Sequence, residues 1–130
     1  SLDKETEDLG IYNVENVVIK GSTFRDIEGA VANIYRGGTD ESTFGPIVVV
    51  EGNEFTNTGL GSRNKAAASL KFHGVQNLLV SDSSWSNSAP LDLHLTNGEP
   101  ITVIKDVVME DTGQIRSNSN DYEIDNVVYR

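Results

Sequence analysis

The chain of 130 residues contains no cysteine, one tryptophan, one methionine and three prolines. Without cysteine there is no disulfide and no thiol chemistry, although this absence does not assign the protein to a compartment. Positive charge is also scarce, because 10 Lys and Arg stand against 20 Asp and Glu, which leaves a net charge of −10. Nucleic-acid binding needs a basic surface, so we expect no nucleic-acid partner.

Long apolar runs and targeting segments are missing as well. No stretch reaches the length of a membrane span, and no secretory signal peptide is recognisable. The acidic balance also disfavours binding to an anionic membrane surface. We therefore expect no membrane partner, and we interpret Ser1 as the start of a mature segment. The length predicts a single domain.

The chain does have a repeat whose side chains stay in phase. An apolar residue is followed five positions later by a large one in the pairs Ile19/Phe24, Val50/Phe55, Val80/Trp85, Ile104/Met109 and Ile124/Tyr129. The first members lie 31, 30, 24 and 20 residues apart. Turn-forming residues stand at fixed offsets from each pair: Gly21, Gly52, Asp82, Asp106 and Asn126, then Asp26, Asn57, Asn87 and Asp111. Such a repeat of strand, corner and strand is typical of a parallel β-solenoid.

The predicted fold is all-β, a right-handed single-stranded parallel β-helix (solenoid) of about five coils that forms one domain over residues 1–130. The right-handedness follows from the crossover rule for parallel strands. Strands are predicted at 13–27 (a pair), 30–36, 46–55, 67–73, 78–85, 91–95, 101–109, 115–116 and 123–129. The large residues of the pairs should form one internal column, and the corner Asp and Asn residues should form hydrogen-bonding ladders.

The ends of the repeat matter because an open coil is a sheet edge that can pair with another chain. The pattern begins within about a dozen residues of Ser1 and runs to Arg130. We expect the chain to be a fragment or the C-terminal half of a longer solenoid enzyme, or a protomer whose ends another copy covers.

Three stretches carry a resemblance to a known family. They are Gly10-Ile11-Tyr12-Asn13 leading into Asn16-Val17, residues 36–46 (RGGTDESTFGP) preceding residues 53–57 (NEFTN), and residues 96–101 (TNGEPI). Together they resemble the C-terminal half of the alginate lyase and chondroitinase B family, polysaccharide lyase family six. The RGGTDES stretch is fairly specific, whereas the Asn-x-Phe-x-Asn repeat is general to right-handed β-helices.

The resemblance implies a secreted or periplasmic bacterial enzyme that cleaves an acidic polysaccharide by β-elimination. Family members use a Lys as base, an Arg as acid and a calcium ion that neutralises the uronate carboxylate, all in the N-terminal half. None of these residues matches a motif in this sequence, so we assign no catalytic residue. We expect no metal or other cofactor in this chain, with calcium belonging to the catalytic half. The expected partners are an acidic polysaccharide and the N-terminal β-helix half.

Candidate substrate-binding residues lie on the predicted outer positions of the middle strands. Alternation along each strand places Lys71 with His73, Asp92 with His94, and Gln114 with Arg116 on one face. Tyr35 or Arg36 could extend this stripe, and alternation alone does not decide which. In a functional interpretation Tyr35 stacks on a sugar ring while Lys71 or Arg116 meets carboxylates. In the alternative, the face is merely solvated, and Lys71 and Arg116 pair with Asp92.

Other constellations are weaker. His73 and His94 would need Asp92 as a third ligand to hold a metal. Asp40, Glu41 and Ser42 lack the spacing of a calcium loop. Arg63 and Lys65 lie beside glycines but precede no helix, so they do not match a phosphate loop. Trp85 belongs to the apolar column, which favours core packing over ligand stacking.

Three functions remain open from the sequence. The first is the C-terminal β-helix region of an alginate or glycosaminoglycan lyase that serves as a scaffold or extends the substrate cleft. The second is a non-catalytic carbohydrate-binding or adhesion solenoid. The third is a structural segment that self-assembles through its open ends. If the stripe binds an acidic sugar chain, binding should weaken with salt and strengthen below roughly pH 6.5.

Overall fold

The computed structural model of the protein describes residues 16–35, 47–75, 77–95 and 101–130. All regular elements in these ranges are strands: β1 (Asn16–Lys20), β2 (Thr23–Ile27), β3 (Ala32–Tyr35), β4 (Ile47–Glu51), β5 (Glu54–Thr58), β6 (Leu70–His73), β7 (Asn77–Ser86), β8 (Leu91–His94), β9 (Ile101–Glu110), β10 (Arg116–Ser117) and β11 (Glu123–Tyr129). The same ranges contain no helix that is long and apolar enough to cross a membrane. Parts of the predicted first strands, 13–15 and Arg36, lie outside them.

The strands form two sheets in which every pairing is parallel. The smaller sheet has the order β10-β8-β6-β3, and the larger one contains the other seven strands. In the first two coils a corner separates β1 from β2 and β4 from β5. In the third and fourth coils the corresponding segments are joined, and β7 and β9 are each one continuous strand. Successive levels of paired strands, here called rungs, therefore stack on one another, five in the larger sheet and four in the smaller one. This stacking confirms the predicted all-β fold of parallel strands.

Register across the rungs confirms the predicted pairing of side chains. One column consists of Ile19, Val50, Val80, Ile104 and Ile124, and a second consists of Phe24, Phe55, Trp85, Met109 and Tyr129. Because parallel strands in register place equivalent residues about 4.8 Å apart, like side chains lie directly above one another. In rungs one to four both columns face inward and supply much of the core.

The aromatic column is a true stack. The ring centroids of Phe24 and Phe55 are 5.2 Å apart, and those of Phe55 and Trp85 are 4.4 Å apart at an interplanar angle of 6°. Phe55 and Trp85 are fully buried, which confirms that Trp85 packs in the core. Tyr129 keeps its register but is 41% exposed, because no described rung covers rung five.

Both predicted sets of corners adopt the left-handed backbone conformation. Examples are Gly21 (φ 60°), Asp82 (φ 50°) and Asn126 (φ 56°) in the first set, and all four Asp and Asn residues of the second set share it. Gly, Asn and Asp tolerate this conformation best among L-residues. The corner side chains also form hydrogen bonds between neighbouring coils: Asn57 donates to Asp26, and Asn126 donates to Asp106, each at 2.9 Å.

The buried amide of Asn53 ties rung two to rung one. Its Oδ1 accepts from the backbone N–H of Ser22 at 2.9 Å, and its Nδ2 donates to the carbonyl of Ile19 at 2.7 Å. In rungs four and five the equivalent column holds Val107 and Val127 instead. One buried amide thus satisfies two backbone groups that the corner removes from the strand ladder.

Replacing Phe55 by Ala should lower the free energy of unfolding by about 3–5 kcal/mol, because the change leaves a cavity in the middle of the aromatic stack. Urea or thermal unfolding measures the loss. Leu60→Ala serves as the control, since Leu60 is exposed and its removal should change stability by no more than about 0.5 kcal/mol. A loss below about 1 kcal/mol for Phe55→Ala would contradict the stack.

Asn53→Ala should cost about 1–3 kcal/mol, because the Ser22 N–H and the Ile19 carbonyl lose their partner in a buried corner. Asn120→Ala removes an exposed amide and should change the unfolding midpoint little. Equal effects of the two substitutions would mean that the Asn53 hydrogen bonds contribute no net stability.

Candidate functional site

The outer face of the smaller sheet carries the predicted stripe. Leu70 and Phe72 point inward on β6, so Lys71 and His73 point outward between them. The same alternation on β8 buries Leu91 and Leu93 and turns Asp92 and His94 outward. We call this surface the outer polar face, and its described members are Asn33, Lys71, His73, Asp92, His94 and Arg116.

Register divides the outer polar face into two columns. The first aligns Asn33, Lys71, Asp92 and Arg116, and the second aligns His73 with His94. The backbone of Tyr35 pairs with His73, so Tyr35 occupies the histidine column. Arg36, the alternative extension of the stripe, lies outside the described residues. Gln114 precedes β10 and is exposed, so it is not part of the strand face.

The two histidines of the chain form a stacked pair. Their ring centroids are 4.1 Å apart and the rings are inclined by 21°. His73 is half-buried and His94 is exposed. The stack follows directly from the register, because two imidazoles on adjacent parallel strands at the same position lie one strand spacing apart.

Three influences lower the pKa of His73 below its ordinary value of 6.5. The largest is burial, which disfavours the charged imidazolium, and the positive charges of His94 and Lys71 act in the same direction. The His73 imidazole is therefore mostly neutral at neutral pH.

Arg116 is held by the protein itself. Its Nη2 donates to the backbone carbonyl of Ala66 at 2.8 Å and lies 3.4 Å from Oδ2 of Asp92. The solvated-face interpretation thus describes this part of the stripe, since Asp92 pairs with Arg116. No ion pair within the described ranges involves Lys71, which leaves its ammonium group available to an external anion. The Ala66 contact has no sequence signal, because a loop carbonyl can meet any side chain.

The glycine loop that contains Arg63 and Lys65 is not a phosphate cradle. The N–H of Gly59 donates to the carbonyl of Ile27 at 2.7 Å, and the N–H of Gly61 donates to that of Glu28 at 2.9 Å. These donors tie the loop to rung one and cannot serve an anion. Lys65 and Arg63 are exposed at the loop surface.

The described residues do not fit a metal ion. They contain no group of three or more His, Asp or Glu side chains arranged to hold one. Calcium needs six to eight oxygen ligands, so we derive no step through it in this part of the chain. Asp40, Glu41 and Ser42 lie outside the described residues.

A shallow groove of about 390 Å³ lies at the second corner of rungs one and two, lined by Asp26, Ile27, Glu28, Asn57, Leu60 and Gly61. Its two carboxylates would repel an acidic sugar chain. The outer polar face, which presents Lys71 beside the histidine pair, is the better candidate for such a ligand.

The low pKa of His73 predicts a pH-dependent stability. Because the unfolded chain binds a proton at this residue more readily than the folded chain, the free energy of unfolding should fall as the pH drops below about 6.5. His73→Gln should reduce the decrease measured between pH 7.5 and pH 5.5 by urea unfolding. Lys105→Ala, on the other sheet, should keep the full decrease. An unchanged decrease in His73→Gln would contradict the assignment.

No family model and no curated protein matches the chain. Solved structures do match, and two of them are structures of one alginate lyase. The structure of a PL6 family alginate lyase, AlyGC, is 45% identical over 95% of this chain with a TM-score of 0.80. A mutant of AlyGC is 46% identical over 98% of this chain with a TM-score of 0.83. This chain spans only 18% of either lyase chain.

Proposed function

We propose that this chain, which belongs by sequence and fold to polysaccharide lyase family six, is the C-terminal β-helix region of a lyase acting on alginate or a related uronate-containing polysaccharide. The observation that carries the proposal is identity of 45–46% to alginate lyase structures over nearly the whole chain. The parent protein would be a secreted or periplasmic bacterial enzyme, consistent with a substrate that occurs outside cells.

The reaction of the parent enzyme would be a β-elimination. A base removes the proton from the carbon next to the uronate carboxylate, the bond to the glycosidic oxygen breaks, and that oxygen receives a proton while a carbon–carbon double bond forms. We assign none of these steps to this chain, because no residue in it matches the family's Lys, Arg or calcium ligands. Its proposed role is to support the catalytic half or to extend the substrate cleft.

The outer polar face is the proposed contact with the polysaccharide. Lys71 is the main cation, and His73 and His94 lie beside it. Tyr35, whose backbone is in register with His73, would continue the stripe toward rung one. Arg116 contributes less than its charge suggests, because Asp92 already offsets it. A flat strand face that presents Lys71 beside two imidazoles suits an extended chain of carboxylates better than a compact ligand.

A structural role is the second candidate, and apolar side chains on the outer surface of the larger sheet favour it. Val18, Ile47 and Ile101 are 60%, 48% and 63% exposed on that face. Rung five also exposes Ile124 and Tyr129. Exposed apolar clusters of this kind often mark contacts with other protein surfaces.

Titration of alginate oligosaccharides into the chain tests the proposal. Binding should weaken as salt rises through about 0.1 M, where exposed charges are screened within about 10 Å. Lys71→Ala should weaken binding by about two- to fivefold, as expected for one exposed ion pair. Ultraviolet absorbance should detect no unsaturated product.

The matched control is Lys105→Ala, which removes the same charge from the larger sheet and should leave the affinity unchanged. Equal losses of affinity in the two lysine variants would show that the outer polar face is only a solvated surface. Sustained turnover that a substitution in this chain abolishes would contradict the proposed absence of catalytic residues.

A further inference from the structure

The stacked histidines differ from every other charged or titratable group on the outer polar face. They are the two histidines of the chain, they share one register column, and their ring centroids are 4.1 Å apart. Imidazole is the side chain whose ordinary protonation range lies between pH 5 and pH 8. A pair at this separation couples the two protonation events, because a proton on one ring disfavours a proton on the other.

The charged groups around the pair also influence the protonation of His73. β6 contributes Lys71, β8 contributes Asp92, β10 contributes Arg116, and the backbone of β3 places Tyr35 next to His73. The charge of Asp92 is offset by Arg116 at 3.4 Å. Burial, His94 and Lys71 all act against the charged form of His73, which lowers its pKa. An anion that meets both rings would oppose the last two of these influences.

We propose that His73 and His94 form a proton-coupled binding site for the carboxylate groups of a uronate chain, with Lys71 as the permanent charge beside it. A carboxylate placed against the pair accepts hydrogen bonds from ring N–H groups and favours protonation of both rings. Binding at neutral pH therefore takes up protons from solvent, and affinity rises as the pH falls. The inference rests on the proposed function, since it specifies how the same face recognises an acidic sugar.

The chain offers a direct readout because all imidazole signals come from this pair. NMR titration of the untagged chain between pH 5 and pH 8.5, with and without saturating alginate oligosaccharide, follows both rings. The midpoint of each imidazole titration should move upward by about half a unit to one unit, and the oligosaccharide should bind about tenfold more tightly at pH 5.5 than at pH 8. Calorimetry in buffers of different ionisation heat should show net proton uptake at pH 7.

Substitutions test whether the pH dependence of binding comes from the histidine pair or from the charge of Lys71. His73→Gln and His94→Gln should each reduce the affinity ratio between pH 5.5 and pH 8, and the double variant should abolish it. Lys71→Ala should weaken binding at both pH values while keeping the ratio. Lys105→Ala, the control, should change neither quantity. Circular dichroism and unfolding midpoints establish that each variant is folded before binding is measured.

The outcomes distinguish the two proposals. Alginate binding that depends on Lys71 but is equal at pH 5.5 and pH 8 would overturn the proton-coupled site and leave the proposed function standing. A pH-dependent affinity that persists in the double histidine variant would likewise overturn it. Absence of alginate binding at either pH would overturn the proton-coupled site and also the proposed contact between the outer polar face and the polysaccharide. A neutral oligosaccharide that shifts the imidazole titrations equally would show that the site does not recognise carboxylates.

Discussion

In-register parallel stacking is the constraint on which the rest of this structure depends. Each rung can satisfy its backbone hydrogen bonds only if its neighbour presents the same residue position at the same height. That requirement places equivalent side chains about 4.8 Å apart along the whole solenoid. Inside, it produces the aromatic stack of Phe24, Phe55 and Trp85. Outside, it places His94 directly beside His73.

The corners allow this stacking, but they require an unfavourable left-handed backbone conformation and remove backbone groups from the strand hydrogen bonds. Residues such as Asp82 and Asn57 adopt positive φ, and neighbouring corner side chains donate to one another across rungs. Buried polar side chains then satisfy the backbone groups that the corners free, as Asn53 does in rung two. In β7, β9 and β11, where the equivalent column holds Ser83, Val107 and Val127, the strand continues through the corner.

The same geometry decides how charge is distributed over the outer polar face. A column of equivalent positions can alternate in sign, as Lys71, Asp92 and Arg116 do, and then it neutralises much of itself. A column of two imidazoles cannot, so its charge depends on pH and on any ligand that it meets. Because the histidine column can gain positive charge, this face can attract an acidic polysaccharide even on a protein of net charge −10.

Much of the architecture could be predicted from the sequence, because the repeat specifies it locally. The pairs from Ile19 and Phe24 to Ile124 and Tyr129, and the turn residues between them, are properties of short segments. Period-two alternation also assigned Lys71, His73 and His94 to the outside. The family followed from longer motifs, such as residues 36–46 and 96–101, of which all but Ile101 lie outside the described ranges.

Only the tertiary structure decided which groups meet. Alternation left Tyr35 and Arg36 equivalent, and the pairing of β3 with β6 assigned Tyr35 to the histidine column. The contact between Arg116 and the carbonyl of Ala66 joins residues 50 positions apart through a loop, so no periodicity could reveal it. The distance between the histidine rings likewise depends on rung register and side-chain rotamers. A sequence repeat determines which residues share a column, whereas contacts across columns and loops depend on how the coils pack.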